Sequence, residues 1–307
     1  MAEMQQPAEQ SVAIVMLTIN QQETTLRALR SFGRAISGWD VLVWDNGSTD
    51  GTVEAVRREF PTVFTHHHPT NLGVASGRNA AARIAIERFA PTYLLFLDND
   101  MVVQPGFVEE LRAPFLVNPM LGQTQAKLLY LDEPTRINDG GGCRINFWLG
   151  VTDPVGFKQI DRGQCDEVAP CISCGGAMMV RSTLFEQLGG FDTVFDPFGP
   201  EDLDFSLRLQ NRGYAALYIP QAVAYHAVSH SFGSGYTAVY AKTKARHWLR
   251  FLRRHGSPLE KVGFALVGAP WIVLRMIVRE VSRGNAGAIV GSIRGVLVGL
   301  RDAATRQ

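Results

Sequence analysis

Cysteine is scarce in this chain: four residues in 307, too few for a disulfide scaffold in a protein of this length. Only Cys171 and Cys174 have the spacing of thiolate metal ligands. With no second Cys-x-x-Cys, they read, like Cys143 and Cys165, as small buried residues rather than as a zinc site. Residues 1–10 are polar and carry no apolar signal-peptide core, so the amino end is expected in the cytosol. Residues 12–25 contain no Lys- or Arg-rich glycine loop, which removes the feature a nucleotidyltransferase needs near its amino end. Acidic residues nearly vanish at the other end. Residues 236–307 hold 13 basic and 3 acidic side chains (net +10), against 17 and 26 (net −9) in residues 1–235, and the formal charge of +1 hides this division. A basic segment of this kind points to a polyanionic partner, a membrane surface or nucleic acid.

What is present is enough for a full core: 46% of residues are hydrophobic and 19% charged. The length fits one large α/β domain over residues 11–235 with a polar tail at 1–10 and a basic helical extension at 236–307. Val12 to Leu17 is a continuous apolar run, as in a strand covered on both faces. Leu26, Leu29, Phe32 and Ile36 then recur at helical spacing. Trp39 to Trp44 is a second strand, and a helix follows it with Thr49 or Asp50 as cap and Val53, Val56 and Phe60 buried. Alternating strands and helices imply parallel pairing with right-handed crossovers, which gathers the strand ends along one edge. His66, His67 and His68 match no metal pattern and read as loop.

The strand at Tyr93–Leu97 carries the most chemistry, because it ends in Asp98-Asn99-Asp100. Strand ends are where an open α/β sheet offers ligand-binding groups. Two carboxylates one residue apart can meet one cation, and hard oxygen ligands suit Mg²⁺ or Mn²⁺ shared with substrate phosphates. Asp45, after the second strand, is placed to accept a hydrogen bond from a base N–H or a ribose hydroxyl. Asn71-Leu72-Gly73, with Gly77-Arg78-Asn79, opens a helix running to about Phe89, and a helix start carrying an Arg suits an anion.

Taken together, Thr18-Ile19-Asn20, Asp45-Asn46-Gly47-Ser48-Thr49-Asp50, Asn71-Leu72-Gly73 with Gly77-Arg78-Asn79, and Asp98-Asn99-Asp100 resemble, in order and spacing, the family 2 glycosyltransferases of GT-A fold. The resemblance covers roughly residues 12–230 and is strongest to a bacterial rhamnosyltransferase-like subgroup. It implies a Rossmann-like, mostly parallel central sheet and a nucleotide-sugar site formed by Thr18, Asn20, Asp45, Asn46, Ser48, Arg78, Asp98 and Asn99. It also implies a divalent ion, Mg²⁺ or Mn²⁺, at Asp98, Asp100 and His226. The acidic pair Glu201-Asp202, which by itself suits the first turn of a helix, matches the family's Glu-Asp pair, and the matching Asp is a general base. Gly175 and Gly176 resemble the family's small-residue loop near the acceptor, and Trp148 with its neighbours offers aromatic surface for a sugar or lipid.

The activity so implied is inverting transfer of a sugar from a UDP- or dTDP-sugar, dTDP-rhamnose among them, to a hydroxyl of a glycan or lipid-linked acceptor in cell-surface polysaccharide synthesis. A single base suffices for one displacement, whereas a retaining glycosidase needs a second catalytic carboxylate about 5 Å away. The alternatives are an inactive membrane-associated nucleotide-sugar-binding protein and a nucleotidyltransferase. For the extension, Lys242 to Arg254 with Trp248 and Phe251 interleaved reads as a helix at an anionic membrane surface. Val262 to Leu274, thirteen uncharged residues broken by Gly268 and Pro270, falls short of the ~20 that span a bilayer. The expectation is a peripheral protein at the inner face of the cell membrane, without nucleic acid, with a homo-oligomer contact as a competing use of these helices. If the extension instead packs on the domain, its arginines need carboxylate partners there.

Overall fold

The computed structural model describes residues 10–173, 175–227, 237–282 and 284–304. The readings placed on residues 1–9, Cys174 and His230 lie outside the described residues.

The chain begins β1 (Val12–Thr18), α1 (Gln22–Arg30), β2 (Asp40–Asp45), α2 (Thr52–Glu59), β3 (Phe64–His67), α3 (Val74–Phe89), β4 (Tyr93–Asp98) and β5 (Met101–Val103). It continues α4 (Phe107–Val117), β6 (Leu121–Tyr130), β7 (Ile137–Asp139), β8 (Cys143–Asn146), β9 (Val151–Pro154), β10 (Ala169–Pro170), β11 (Ala177–Arg181), α5 (Ser182–Gln187), α6 (Glu201–Asn211) and β12 (Ala215–His226). Four helices close it: α7 (Ala238–His255), α8 (Pro258–Gly263), α9 (Ala269–Ser282) and α10 (Ala286–Ala304).

Strands β3, β2, β1 and β4 pair in parallel, as the strand–helix alternation requires. Next to β4 the direction reverses: β11 is antiparallel to both β4 and β6, and β12 runs parallel to β6. Val12, Ile14 and Met16 enter one apolar cluster while Ala13 and Val15 enter another, the two-residue period of a strand buried on both faces. This is why β1 and β4 tolerate no polar residue until their ends, where Thr18 and Asp98 mark the edge that carries the site.

Two local readings are corrected. His66 and His67 belong to strand β3, because their backbone continues the parallel ladder on β2, with His66 opposite Trp44 and His67 opposite Asp45. The residue capping α2 is Gly51, in the left-handed region at φ 81°, while the Asp50 carboxylate accepts from the N–H and hydroxyl of Thr52. Asp50 still serves the helix start, from one position further out.

The extension is also corrected. Phe251 is fully buried and Trp248 donates its indole N–H to the carbonyl of Gly150 at 2.6 Å, so neither is free to enter a membrane. They form an apolar cluster with Phe195 and Leu203, on and just before α6. The arginines find the carboxylates they need: Arg254 pairs with Asp192 at 2.6 Å and with Asp204 at 2.8 Å. Asp204 has no solvent exposure and also meets Arg208 at 2.7 Å and His255 at 2.8 Å. Helix α10 packs on α7 at close range because glycines face it. A Cβ at Gly291 would come within 2.1 Å of the Ala238 carbonyl oxygen, and one at Gly295 within 2.2 Å of that of Lys242.

Gly268 and Pro270 do not interrupt the apolar segment. Helices α8 and α9 join through a π-helical turn at Phe264–Gly268, the kind of local unwinding that accommodates a proline lacking its N–H. The product is one helix of 25 residues, Pro258–Ser282, long and apolar enough by length and composition to cross a bilayer. Its charged residues sit toward its ends, and Leu266, Val267, Leu274 and Val278 are exposed.

Burial alone would raise the pKa of Asp204, but the hydrogen bonds from His255 and Arg254, with Arg208 beside it, carry it down to about 2. A carboxylate depressed in this way contributes stability that is complete above its unfolded value of ~4 and is lost as the pH falls through about 2. Asp204→Asn is therefore expected to destabilise the protein at pH 7 by about 3 kcal/mol, since it leaves buried cations unpaired. The difference between wild type and variant in urea unfolding should shrink below about pH 4. A difference that stays constant down to the acid limit would show that Asp204 acts through packing, not charge.

Candidate active site

Arg78, on the first turns of α3, is buried and reaches two carboxylates. It donates to Asp98 Oδ1 at 2.5 Å and to Glu201 Oε1 at 3.2 Å. The contact joins the end of β4 to the start of α6, residues 123 positions apart from Arg78 at the longer reach. Gly175 and Gly176 complete the junction, both in the left-handed region at φ 85° and 80°. The Gly176 carbonyl accepts the N–H of Asp98 at 2.8 Å, and the Asp202 carboxylate lies on Gly175 so closely that a Cβ there would be 2.4 Å from Oδ2. One glycine turn therefore has Asp98 on one side and Asp202 on the other.

Burial raises the pKa of Glu201, and the adjacent Asp202 adds to it. Burial also raises that of Asp202; Arg78 and the N–H of Leu203 oppose the rise, and Asp98 adds to it. A carboxylate displaced toward neutrality yet still ionisable is what a general base at physiological pH requires.

At the other end of this edge, Asp100 Oδ2 lies 3.3 Å from His226 Nε2, and His226 Nδ1 meets Asn138 Oδ1 at 2.9 Å. Strand β12 brings His226 there by pairing opposite Met101 on β5. Burial works against a charged imidazole, but the bond to Asp100 leaves its pKa raised. Among the described residues no group of three or more His, Cys, Asp or Glu side chains is placed to hold a metal ion by itself. The donor chemistry nevertheless fits a hard divalent ion, which is commonly held by one or two carboxylates with substrate phosphates supplying further oxygens. Asp100 with His226 forms the near half of such a set. Asp98 stands adjacent, one oxygen turned to Arg78.

Asp45 is fully buried at the end of β2. Its Oδ1 accepts from the N–H and hydroxyl of Ser48, and its Oδ2 meets His67 Nδ1 at 2.7 Å. Sequence reasoning passed over His67; the signal was its register, since parallel pairing of β2 and β3 sets it beside Asp45. Trp44 stacks on His66 and His68 at centroid distances of 4.6 and 5.7 Å, which fixes the same corner. Asn20, at φ 49°, accepts from the N–H of Thr49 at 2.8 Å while its own N–H donates to Ser48 at 2.7 Å, so the first two strand-end loops are tied together.

Several of the residues read from sequence brace the site from within. The Asn46 amide donates to Asn71 Oδ1 and the Gly73 carbonyl and accepts from Trp44 and Leu72. The Asn99 amide donates to Thr18, Gln21 and Thr25, so it clamps the end of β4 to α1. The start of α3 holds an internal anion: Asp196 accepts from the N–H of Ala75 and from the N–H and hydroxyl of Ser76. Trp148 rests on α8, where a Cβ at Gly263 would lie 1.9 Å from its ring.

A parallel half-sheet ending in paired carboxylates, joined to an antiparallel half that delivers Asp202 and His226, is a GT-A architecture. It is similar to GalNAc-T7 crystallised with UDP, GalNAc and Mn²⁺, at a TM-score of 0.56 and 16% identity over 70% of this chain and 43% of that one, so this chain spans under half of that structure. The mannosyltransferase PcManGT from Pyrobaculum calidifontis, solved with GDP-Man and Mn²⁺, aligns at a TM-score of 0.52 and 19% identity over 96% of this chain and 75% of that one. The chain belongs to glycosyl transferase family 2, whose pattern matches residues 13–187. A second pattern, described as the N-terminal domain of galactosyltransferase, matches residues 169–231. Among relatives, the N-acetylglucosaminyl-diphospho-decaprenol L-rhamnosyltransferase of Mycobacterium tuberculosis is 28% identical over 63% of this chain and 68% of its own length. The O-antigen biosynthesis protein RfbC of Myxococcus xanthus is 27% identical over 69% of this chain and 16% of its own length.

A raised carboxylate pKa costs stability wherever the group is ionised, from its unfolded value upward. Asp202→Asn should therefore raise the thermal midpoint at pH 8 by roughly 2–4 °C, and by less at pH 4, where the wild-type group is already protonated. An unchanged or lowered midpoint at pH 8 would mean that Asp202 bears no such strain.

Proposed function

We propose that the chain is an inverting glycosyltransferase of cell-surface polysaccharide synthesis, using a UDP- or dTDP-sugar and a glycan or lipid-linked hydroxyl acceptor. The observation that carries this is the Gly175–Gly176 turn with Asp98 on one side and Asp202 on the other. In this reading Asp98 belongs to the donor side and Asp202 to the acceptor side, and the turn sets the two next to one another. Asp45, buried with both oxygens engaged, holds Ser48 and His67 in place, and these with Asn20 frame the nucleobase and ribose pocket. Thr18, Asn46 and Asn99 position this pocket through the bonds described above. Asp202 takes the proton of the acceptor hydroxyl as that oxygen attacks the anomeric carbon from the side opposite the departing diphosphate. Glu201 and the Gly175–Gly176 backbone bound the acceptor, and Trp148 serves its more distant part. Asp100 and His226, with the free oxygen of Asp98, would hold Mg²⁺ or Mn²⁺, which when bound supplies positive charge for the departing diphosphate. Arg78 keeps Asp98 and Glu201 in place while this charge moves.

Asp202→Asn is expected to lower transfer by about 10²–10⁴-fold with donor binding retained, read as protection against thermal unfolding by a panel of nucleotide sugars with Mn²⁺. Near-native turnover at saturation would remove Asp202 from the role of base. For wild type, the acid limb of kcat/KM should lie above the ordinary carboxylate range of ~4 because burial raises the Asp202 pKa.

The reading includes a membrane-surface location for α8 to α10, supported by their exposed apolar side chains and by the basic excess of the extension. The 25-residue helix favours a second reading, a true span. Flotation separates them: a peripheral protein floats with anionic vesicles and is released by high salt or alkali, because the attraction of basic side chains to the surface is screened. Resistance to both treatments would establish the span instead.

A further inference from the structure

Helices α7, α9 and α10 and the start of β9 enclose a cavity of about 600 Å³, within the range of ~300–1,000 Å³ of small-molecule sites. Its walls are mainly apolar, with Trp248, Trp271, Ile293, Val296 and Leu297 prominent. Ile293 and Leu297 are about half exposed although they line a concavity, so the cavity opens to the outside. The charged groups in the lining are all cationic: Lys244, Arg275 and Arg279. Arg279 is engaged by Glu280 at 2.5 Å. Lys244 and Arg275 have aromatic contacts, Arg275 over Trp271 at 5.0 Å, and no carboxylate partner among the described residues.

An apolar hollow with cations in its lining selects an amphiphile: a hydrocarbon chain inside, a phosphate at the basic groups. Bulk membrane lipid has this chemistry, but the position of the cavity favours a substrate. Its wall residue Trp248 stacks on Phe251 at 5.1 Å, and both join Phe195 and Leu203 in one cluster, Leu203 being the neighbour of Asp202. The cluster that contains Trp248 and Phe251 thus links the wall of the hollow to the helix that carries Asp202. We infer that this cavity holds the hydrocarbon chain of the acceptor's lipid carrier, with a carrier phosphate at Lys244 and Arg275. The inference rests on the glycosyl-transfer reading only for the identity of the lipid.

The test uses the full chain and calorimetric titration with tetradecyl phosphate, tetradecanol and inorganic phosphate. Saturable binding of tetradecyl phosphate is expected, weaker binding of tetradecanol, and none of phosphate alone. Val296→Trp, which fills the cavity, should weaken tetradecyl phosphate by about tenfold or more, equivalent to withdrawing about two methylenes from the walls. Ile293→Phe should act in the same direction, and retained protection by the donor nucleotide shows that either variant is folded. Arg275→Gln should weaken the phosphate but leave tetradecanol as it was. In transfer assays with one glycan on short-chain and long-chain diphosphate carriers, Val296→Trp should raise KM for the long-chain acceptor alone. Wild-type affinity in both filled variants would overturn the site. Loss of vesicle flotation with an unaltered long-chain KM would assign the hollow to bulk lipid and overturn the acceptor assignment. Binding as expected in a chain that transfers no sugar from any donor would sustain the cavity and overturn the enzymatic reading instead.

Discussion

A guanidinium buried between Asp98 and Glu201 is the contact on which this structure turns. Asp98 ends the parallel half of the sheet and Glu201 begins a helix of the other half, and the two carboxylates would repel one another at this range without a cation. Arg suits the place better than Lys, since its planar fork addresses two partners at once and it holds its charge when buried. Removing it would leave Asp98, Glu201 and Asp202 as a cluster of like charges in a poorly solvated pocket. The site therefore keeps an acidic excess, one buried cation among three carboxylates; burial raises the pKa values of Glu201 and Asp202, and the neighbouring carboxylates add to the rise. Such an excess is unfavourable to the folded state and favourable to a base and to a bound cation. Strain of this kind at a functional centre, offset by packing elsewhere, is a common division of stability against activity.

How much of this was legible in the chain differs by residue type. The continuous apolar runs at Val12–Leu17 and Tyr93–Leu97 could only be doubly covered strands, and Asp98-Asn99-Asp100 announced the edge where they end. Glu201 and Asp202 at a helix start were legible as positions; their nearness to Asp98 was not, because it depends on β11 running against β4. The His66–His68 run misled because histidines show no strand period, and only pairing with β2 reveals that His67 meets Asp45. Asn46 and Asn99 look like ligand-binding amides in sequence. Fully engaged amides hold loops, and that distinction is a matter of partners, which spacing does not encode.

The basic extension shows the limit of charge counting. Its net charge of +10 suggested a surface presented to an external anion, yet Arg254 and His255 are used internally, on Asp204 and Asp192. Charge complementarity between the −9 and +10 segments is satisfied in part within the molecule. What remains outward combines exposed apolar side chains of α9 and α10 with exposed basic ones such as Arg253, Lys261, Arg275 and Arg294.

That arrangement couples the exposed apolar helices to the start of α6, where Asp202 lies. Asp204 lies two residues after Asp202 on α6, and its carboxylate is bound by two residues of α7. Helix α7 is in turn packed by the glycine face of α10 and fastened to Gly150 through Trp248. A displacement of α9 and α10 would therefore be transmitted to α6 through a buried ion network and an aromatic cluster, both of which resist small deformations. The same rigidity fixes the height of Asp202 relative to any surface on which α9 and α10 rest. For an acceptor carried in a membrane, that height is a geometric requirement of attack, since the base must stand where the acceptor hydroxyl emerges. An enzyme with a freely tethered anchor would have to find this position anew at each encounter, whereas here buried ion pairs and aromatic packing join the first turn of α6 to α7, on which α10 packs.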